Sequence, residues 1–283
     1  MHLGVLPTTT GRSKGRTVCG AATQVKEREQ GVEERNGTLS TEDSRLSGGL
    51  LTGGSVDFSG ATNPLIRKAL ETEKTIVMVR HGLSTWNFEG RVQGSSDKSI
   101  LSETGIWQAE RCKEALSKLK FEQCFASPIS RAKTSAEVIW SDREEPLIFL
   151  DSLREANLNI LEGMKNSEAK ELYPELFTSW RQDPMHFEVN GVYPVRELWD
   201  HAQNAWEDIL TQATGDLVLV VAHKSVLRAM LCTALGMGPD RFRAIDINNG
   251  GICVFSINTS GQPMLKSLNL TSHLQTEGVY YQL

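Results

Sequence analysis

Two short aliphatic runs, at residues 75–80 and 217–222, each lead directly into a histidine, and no other feature of the chain limits its fold so tightly. Neither run alternates polar with apolar residues, so each reads as a strand covered on both faces. Further strand-like runs at residues 124–126, 147–149, 251–257 and 265–270 are interleaved with helical spacing at 104–119, 130–140, 166–182 and 225–235. Pro174 divides residues 166–182 into two helices, because its ring removes a backbone donor and blocks the preceding turn. Pro194 suits the first turn of a longer helix whose apolar face is Leu198, Ala202, Ala205, Trp206 and Ile209. Strands alternating with helices predict an α/β sheet with helices on both faces. Such sheets bind ligands beyond the carboxyl ends of their strands, so His81 and His223 are expected to meet in one crevice.

The chain has 283 residues, 39% hydrophobic and 23% charged, enough to bury a core. Residues 1–70 are rich in Gly, Thr, Ser and charge without periodicity, and are expected to be disordered. Residues 71–275 are expected to form one domain, and 276–283 a tail. Before Glu27 there is no acidic residue, while Arg12, Lys14 and Arg16 lie among Thr and Ser, the composition of an organelle transit peptide. A chloroplast stromal location is expected, with a cytoplasmic one as the alternative. The net charge of -5 argues against a general nucleic-acid or membrane-surface binder. No apolar run is long enough to span a bilayer. Five scattered cysteines lack a CxxC pair, so neither a zinc knuckle nor a disulfide framework is suggested.

In Arg80-His81-Gly82 a strand end presents an imidazole beside a guanidinium, and a glycine would let backbone approach an anion. Imidazole is a nucleophile that needs no metal. Ser84, Asn87, Arg91, Gln93 and Gly94 follow as a polar loop expected to wrap a phosphate. Arg131 stands in the first turn of the helix after the 124–126 strand, where backbone N–H groups already favour an anion. Glu155, in Leu153-Arg154-Glu155, is the candidate general acid, since a bound phosphoryl dianion would favour its protonated form; Glu162 is expected to be structural. His223, in Val221-Ala222-His223, is placed to stabilise the pentavalent phosphoryl group.

Taken together, R-H-G-x-S-x-W-N at residues 80–87, R-V-Q-G at 91–94, S-P-x-x-R-A-x-x-T at 127–134, L-R-E at 153–155 and V-A-H at 221–223 resemble the histidine phosphatase superfamily, which includes the cofactor-dependent phosphoglycerate mutases. The resemblance implies a three-layer α/β/α sandwich around a mixed, mostly parallel sheet with an antiparallel edge strand. It implies His81 as the phosphorylated residue, Arg80, Arg131 and His223 as the phosphate pocket, and Glu155 as proton donor. Gly82, Asn87 and Gln93 are carried over as supporting phosphate or substrate contacts. No metal or organic cofactor is implied, and the partner is a small phosphorylated metabolite. Lys224 departs from the pattern, since many members carry glycine there; it is grouped with the substrate-binding residues. The short interval between Glu155 and His223 lacks the insert of the mutases, which favours hydrolysis over mutase chemistry. Residues 193–199 and the 93–96 loop are similar to plant 2-carboxy-D-arabinitol-1-phosphatase-type proteins, with Arg196 expected to read a substrate carboxylate or hydroxyl.

Overall fold

The computed structural model describes residues 58–282; the expected transit segment lies outside the described residues. Six strands form one sheet: β1 (Lys74–Arg80), β2 (Gln123–Ala126), β3 (Leu147–Phe149), β4 (Leu217–Ala222), β5 (Ile252–Ile257) and β6 (Pro263–Leu270). Their spatial order is β3-β2-β4-β1-β5-β6. The first four run parallel, and β5 is antiparallel to both β1 and β6. The helices are α1 (Thr85–Phe88), α2 (Glu103–Ala115), α3 (Ser130–Trp140), α4 (Asn166–Leu172), α5 (Pro174–Gln182), α6 (Pro194–Gln212) and α7 (Lys224–Ala234).

Both faces of the central strands are covered, which is why their sequences do not alternate. Ile76 and Met78 of β1 join Val218, Val220 and Ala222 of β4 in a cluster with α6 and α7. Val77, Val79, Leu219 and Val221 pack on the opposite face against Ala109 and Cys112 of α2 and Ala136 and Ile139 of α3. The predicted apolar face of α6 is buried along its whole length, and the Trp206 indole donates to the Met230 carbonyl at 3.0 Å. Tyr173 ends α4 and caps α5, so Pro174 divides the helices where its ring chemistry requires.

The structure corrects the sequence reading in one place and adds to it in two. The reversed strand is β5, one position in from the edge, and β6 covers it. A tight turn joins the two: Asn258 accepts from the N–H groups of Ser260 and Gln262, and Gly261 takes a positive φ of 77°. Residues 58–70, assigned by composition to the N-terminal region, include Leu65, Ile66 and Leu70 packed against the α6–α7 core cluster. Too few apolar residues do this to register as a periodic pattern. The tail is also tied down, with the Tyr281 N–H donating to Ala115 at 3.0 Å and its hydroxyl 2.9 Å from His273 Nδ1.

The four described cysteines are unpaired and buried. Burial pushes the thiol of Cys112 up to about 12 and those of Cys232 and Cys253 up to about 11, so they stay protonated at neutral pH.

Gly82 has a packing role that its sequence context does not reveal. A Cβ there would lie 2.2 Å from the Gly105 carbonyl oxygen, and one on Gly105 would lie 2.1 Å from that of Leu83. The backbone after β1 therefore lies directly against the start of α2. Gly82→Ala is expected to destabilise the fold by about 3 kcal/mol, because backbone on both sides must move. Denaturant unfolding checks this; a midpoint equal to wild type would remove the packing argument.

Candidate active site

Each of the four parallel strands delivers its residues at the same edge of the sheet, as the crevice rule requires. Arg80 ends β1 and His81 follows it. His223 follows β4, and Arg80 pairs with Ala222 across the two strands, so the histidine rings sit side by side with centroids 5.1 Å apart. After β2 come Ser127 and, in α3, Arg131; after β3 comes Glu155.

His81 is buried, and its Nδ1 lies 2.6 Å from the Gly82 carbonyl oxygen. A carbonyl only accepts, so Nδ1 carries the proton. Burial first, then Arg131 and Arg80, hold the ring well below the usual histidine range and therefore neutral. One proton on Nδ1 leaves Nε2 with a lone pair, the form of imidazole that attacks phosphorus.

His223 is neutral for the same reasons, burial foremost and then Arg131. Its Nε2 is 2.8 Å from Ser127 Oγ, and a hydroxyl serves either tautomer because it both gives and accepts. His223 also occupies the N-cap position of α7.

The two arginines are clamped by backbone. Arg80 Nη1 donates to the Ile247 carbonyl at 2.8 Å, while Arg131 donates to Ser96 and Gly94, both at 2.7 Å. Burial lowers Arg80 to about 10 and lowers Arg131 as well, with Glu155 opposing the shift in both; each guanidinium stays charged at neutral pH. Nε of Arg80, Nε of Arg131 and Nδ1 of His223 are buried and have no hydrogen-bond partner among the described residues. A cluster of cationic and donor groups with unspent capacity, in a chain of net charge -5, is a local trap for an anion.

Glu155 accepts from two backbone N–H groups, Ala156 to Oε1 and Ser225 to Oε2, both at 2.9 Å. Ser225 lies in the first turn of α7, so the carboxylate is fixed at the same helix start that His223 caps. Glu162 has the structural task expected of it: Oε1 accepts from the N–H groups of Ser95 and Leu158, at 2.8 and 2.9 Å. It thereby braces the loop whose Gly94 and Ser96 carbonyls hold Arg131. Gly94 has a positive φ of 53°, and a Cβ there would strike Glu162.

The loop expected to wrap a phosphate forms a self-bonded network around α1. Ser84 caps that turn, accepting from the Asn87 N–H at 3.2 Å, and donates to Gln93 Oε1 at 2.7 Å. Gln93 also accepts from Ser99 at 2.9 Å. Asn87 and Gln93 are thus held in place beside the strand end. The Gly82 N–H is taken by Ser135 Oγ at 3.1 Å. Lys224 Nζ pairs with Asp246 at 2.5 Å, and Arg196, expected to face substrate, donates to the Met185 carbonyl and stacks over Tyr193.

Sequence reasoning missed Asn249, Ser127 as the partner of His223, and Asp246. The Asn249 amide donates to the His81 and Gly82 carbonyls at 3.0 and 3.1 Å and to Asn87 Oδ1 at 3.2 Å, tying the loop to the strand end. Its only local signal is an Asn-Asn-Gly turn before a strand, and the turn becomes informative once β5 is known to lie beside β1. Among the described residues no group of three or more His, Cys, Asp or Glu side chains could hold a metal ion.

The buried neutral histidines imply a pH dependence of stability. His81 and His223 accept protons less readily folded than unfolded, and burial lowers His273 to about 4. Below about pH 6.5 the unfolded chain takes up protons that the folded chain refuses. Stability is therefore expected to fall as pH drops from about 6.5, by up to about 1.4 kcal/mol per unit for each such histidine. Urea unfolding at pH 7.5 and 5.5 measures it; a flat profile would mean that these rings are not held neutral.

Residues 76–271 match the family described as the histidine phosphatase superfamily, branch 1. A probable 2-carboxy-D-arabinitol-1-phosphatase of Arabidopsis thaliana is 46% identical over 185 residues, 65% of this chain and 38% of that protein. The 2-carboxy-D-arabinitol-1-phosphatase of Triticum aestivum is 45% identical over 216 residues, 76% of this chain and 43% of that one. The chain thus spans about two fifths of the length of these relatives. Among solved structures, Bacillus stearothermophilus YhfR superposes with a TM-score of 0.68 at 25% identity, covering 71% of this chain and 99% of that one.

Proposed function

The chain belongs to the histidine phosphatase superfamily, and from that premise we propose that it hydrolyses a small phosphorylated sugar or sugar acid through a phosphohistidine on His81. The candidate substrate is 2-carboxy-D-arabinitol 1-phosphate, after the names of the two plant relatives. The observation that carries the reading is the Nδ1–H of His81 on the Gly82 carbonyl, which leaves Nε2 unprotonated on a ring that feels the charges of Arg131 and Arg80.

Arg80 and Arg131 bind the phosphoryl oxygens and His81 Nε2 attacks phosphorus in line. The bond from phosphorus to the sugar oxygen breaks as protonated Glu155 gives its proton to that oxygen. The phosphoimidazole becomes cationic, and the Gly82 carbonyl supports that charge through Nδ1–H. Water then loses a proton to the Glu155 carboxylate and attacks phosphorus, the P–N bond breaks, and His81 returns to its neutral form. With the Ser127 hydroxyl donating to Nε2, the proton of His223 resides on Nδ1 and is available to a phosphoryl oxygen, which lowers the barrier electrostatically.

Asn87 and Gln93 complete the polar wall. Phosphoglycerate mutase activity is the second reading; the short chain between Glu155 and His223 favours water as the acceptor, because shielding a phosphohistidine needs more cover. A binder without catalysis is the third, and the intact set of His81 and Glu155 favours an enzyme. Incubation with 3-phosphoglycerate, with and without a bisphosphoglycerate primer, separates them. Net release of inorganic phosphate is expected, and conserved phosphate with isomerisation would establish the mutase instead. The protein is proposed to act in the chloroplast stroma, in keeping with the basic, hydroxyl-rich composition of residues 1–26. Fluorescent protein fused behind residues 1–60 is expected to enter isolated chloroplasts; exclusion from them would support the cytoplasmic alternative.

A further inference from the structure

Lys224 is the first residue of α7, directly between His223 and Ser225, whose N–H holds Glu155. Its side chain is about one third exposed and reaches Asp246 at 2.5 Å. The same Asp246 oxygen accepts from Arg228 Nη2 at 2.6 Å. Arg228 is nine-tenths buried, and its Nε has no hydrogen-bond partner among the described residues. Two cations therefore share one carboxylate oxygen, and the trio carries one net positive charge.

That excess charge lies beside the catalytic groups. Ile247, next to Asp246, supplies the carbonyl that clamps Arg80, and Arg80 is close enough to act electrostatically on both Lys224 and Asp246. An ammonium has three N–H donors, and Asp246 is the one partner of Lys224 among the described residues. Two donors remain, so Lys224 can bind a second anion without leaving Asp246. An added carboxylate brings the trio to neutrality.

We propose that Lys224, backed by the Asp246–Arg228 pair, recognises a carboxylate on the substrate and so selects phosphorylated sugar acids over phosphorylated sugars. The inference rests on the phosphatase reading for its location and deepens it by naming the group that sets specificity. A phosphate bound by Arg80 and Arg131 orients the substrate, and the ammonium at the start of α7 then meets an acid group on the carbon chain. Asp246 supplies the counter-charge that holds the Lys224 ammonium beside the start of α7.

The test compares 3-phosphoglycerate with glycerol 3-phosphate, which differ in whether a carboxylate or a hydroxymethyl group ends the chain. Each is measured with the full-length wild-type protein, as kcat/KM where it is turned over and as Kd by calorimetry where it is not. Wild type is expected to prefer the carboxylated compound by about tenfold or more, the worth of one charge-assisted contact. Lys224→Met is expected to cut that preference to within about twofold, and Lys224→Arg to retain most of it. Equal preference in wild type, failure of 3-phosphoglycerate to bind, or a preference surviving in Lys224→Met would overturn the proposal. Turnover of p-nitrophenyl phosphate is followed in parallel. If that reaction is absent while the carboxylate preference persists, the phosphatase reading falls and the recognition site stands.

Discussion

Replacing His81 by alanine is expected to lower kcat for phosphate release by at least about 10⁴-fold, because the covalent route disappears with the attacking nitrogen. The same substitution removes the acid-labile phosphoryl label that rapid quenching of wild type is expected to trap. Charge in the pocket is little changed, since the lost ring is neutral. Substrate binding therefore falls much less than turnover. Label on any other side chain, or turnover within about tenfold of wild type, would end the phosphohistidine mechanism. Folding is checked alongside, because the buried ring contacts His223 and leaves a cavity when truncated.

The second large effect falls on Glu155→Gln, and its signature is a dependence on leaving group. With an alkyl phosphate the departing alkoxide needs the proton, so kcat is expected to drop about 10²–10⁴-fold. With p-nitrophenyl phosphate the leaving group is stable as an anion, so phosphorylation of His81 proceeds with a loss of about tenfold or less. Hydrolysis of the phosphohistidine still lacks its base, so the variant should release a burst of one p-nitrophenolate per site and then stall. Equal impairment of both substrates without a burst would remove Glu155 from the proton path. Glutamine keeps one oxygen for the two N–H groups of Ala156 and Ser225, which leaves a backbone donor unpaired and costs about 1–3 kcal/mol. A thermal melt separates that cost from the chemical effect.

Most of the fold was legible because its signals are local. Aliphatic runs without alternation mark β1 and β4, helical spacing marks α3 and α6, and Pro174 marks a break that follows from the ring alone. That the candidate residues lie together was legible as well, since strand ends in this architecture converge whatever lies between them. Other features needed coordinates. The reversal of β5 depends on the connection that leads into it from α7, and the packing of residues 58–70 depends on three side chains without a period. Loop 84–94 reads as a phosphate wrap from its polar composition, and only coordinates show that Ser84, Asn87 and Gln93, with Ser99, also pair with one another.

Residue order along the chain was sufficient to specify which side chains reach the crevice, because a strand followed by a helix carries its terminal residue to the sheet edge by local geometry alone. Protonation and partnership were settled elsewhere. The tautomer of His81, the neutrality of both imidazoles, the backbone clamps on the arginines and the sharing of Asp246 by Lys224 and Arg228 all arise between groups brought together by folding. Electrostatic energy depends on distance and burial, and neither is a property of sequence separation.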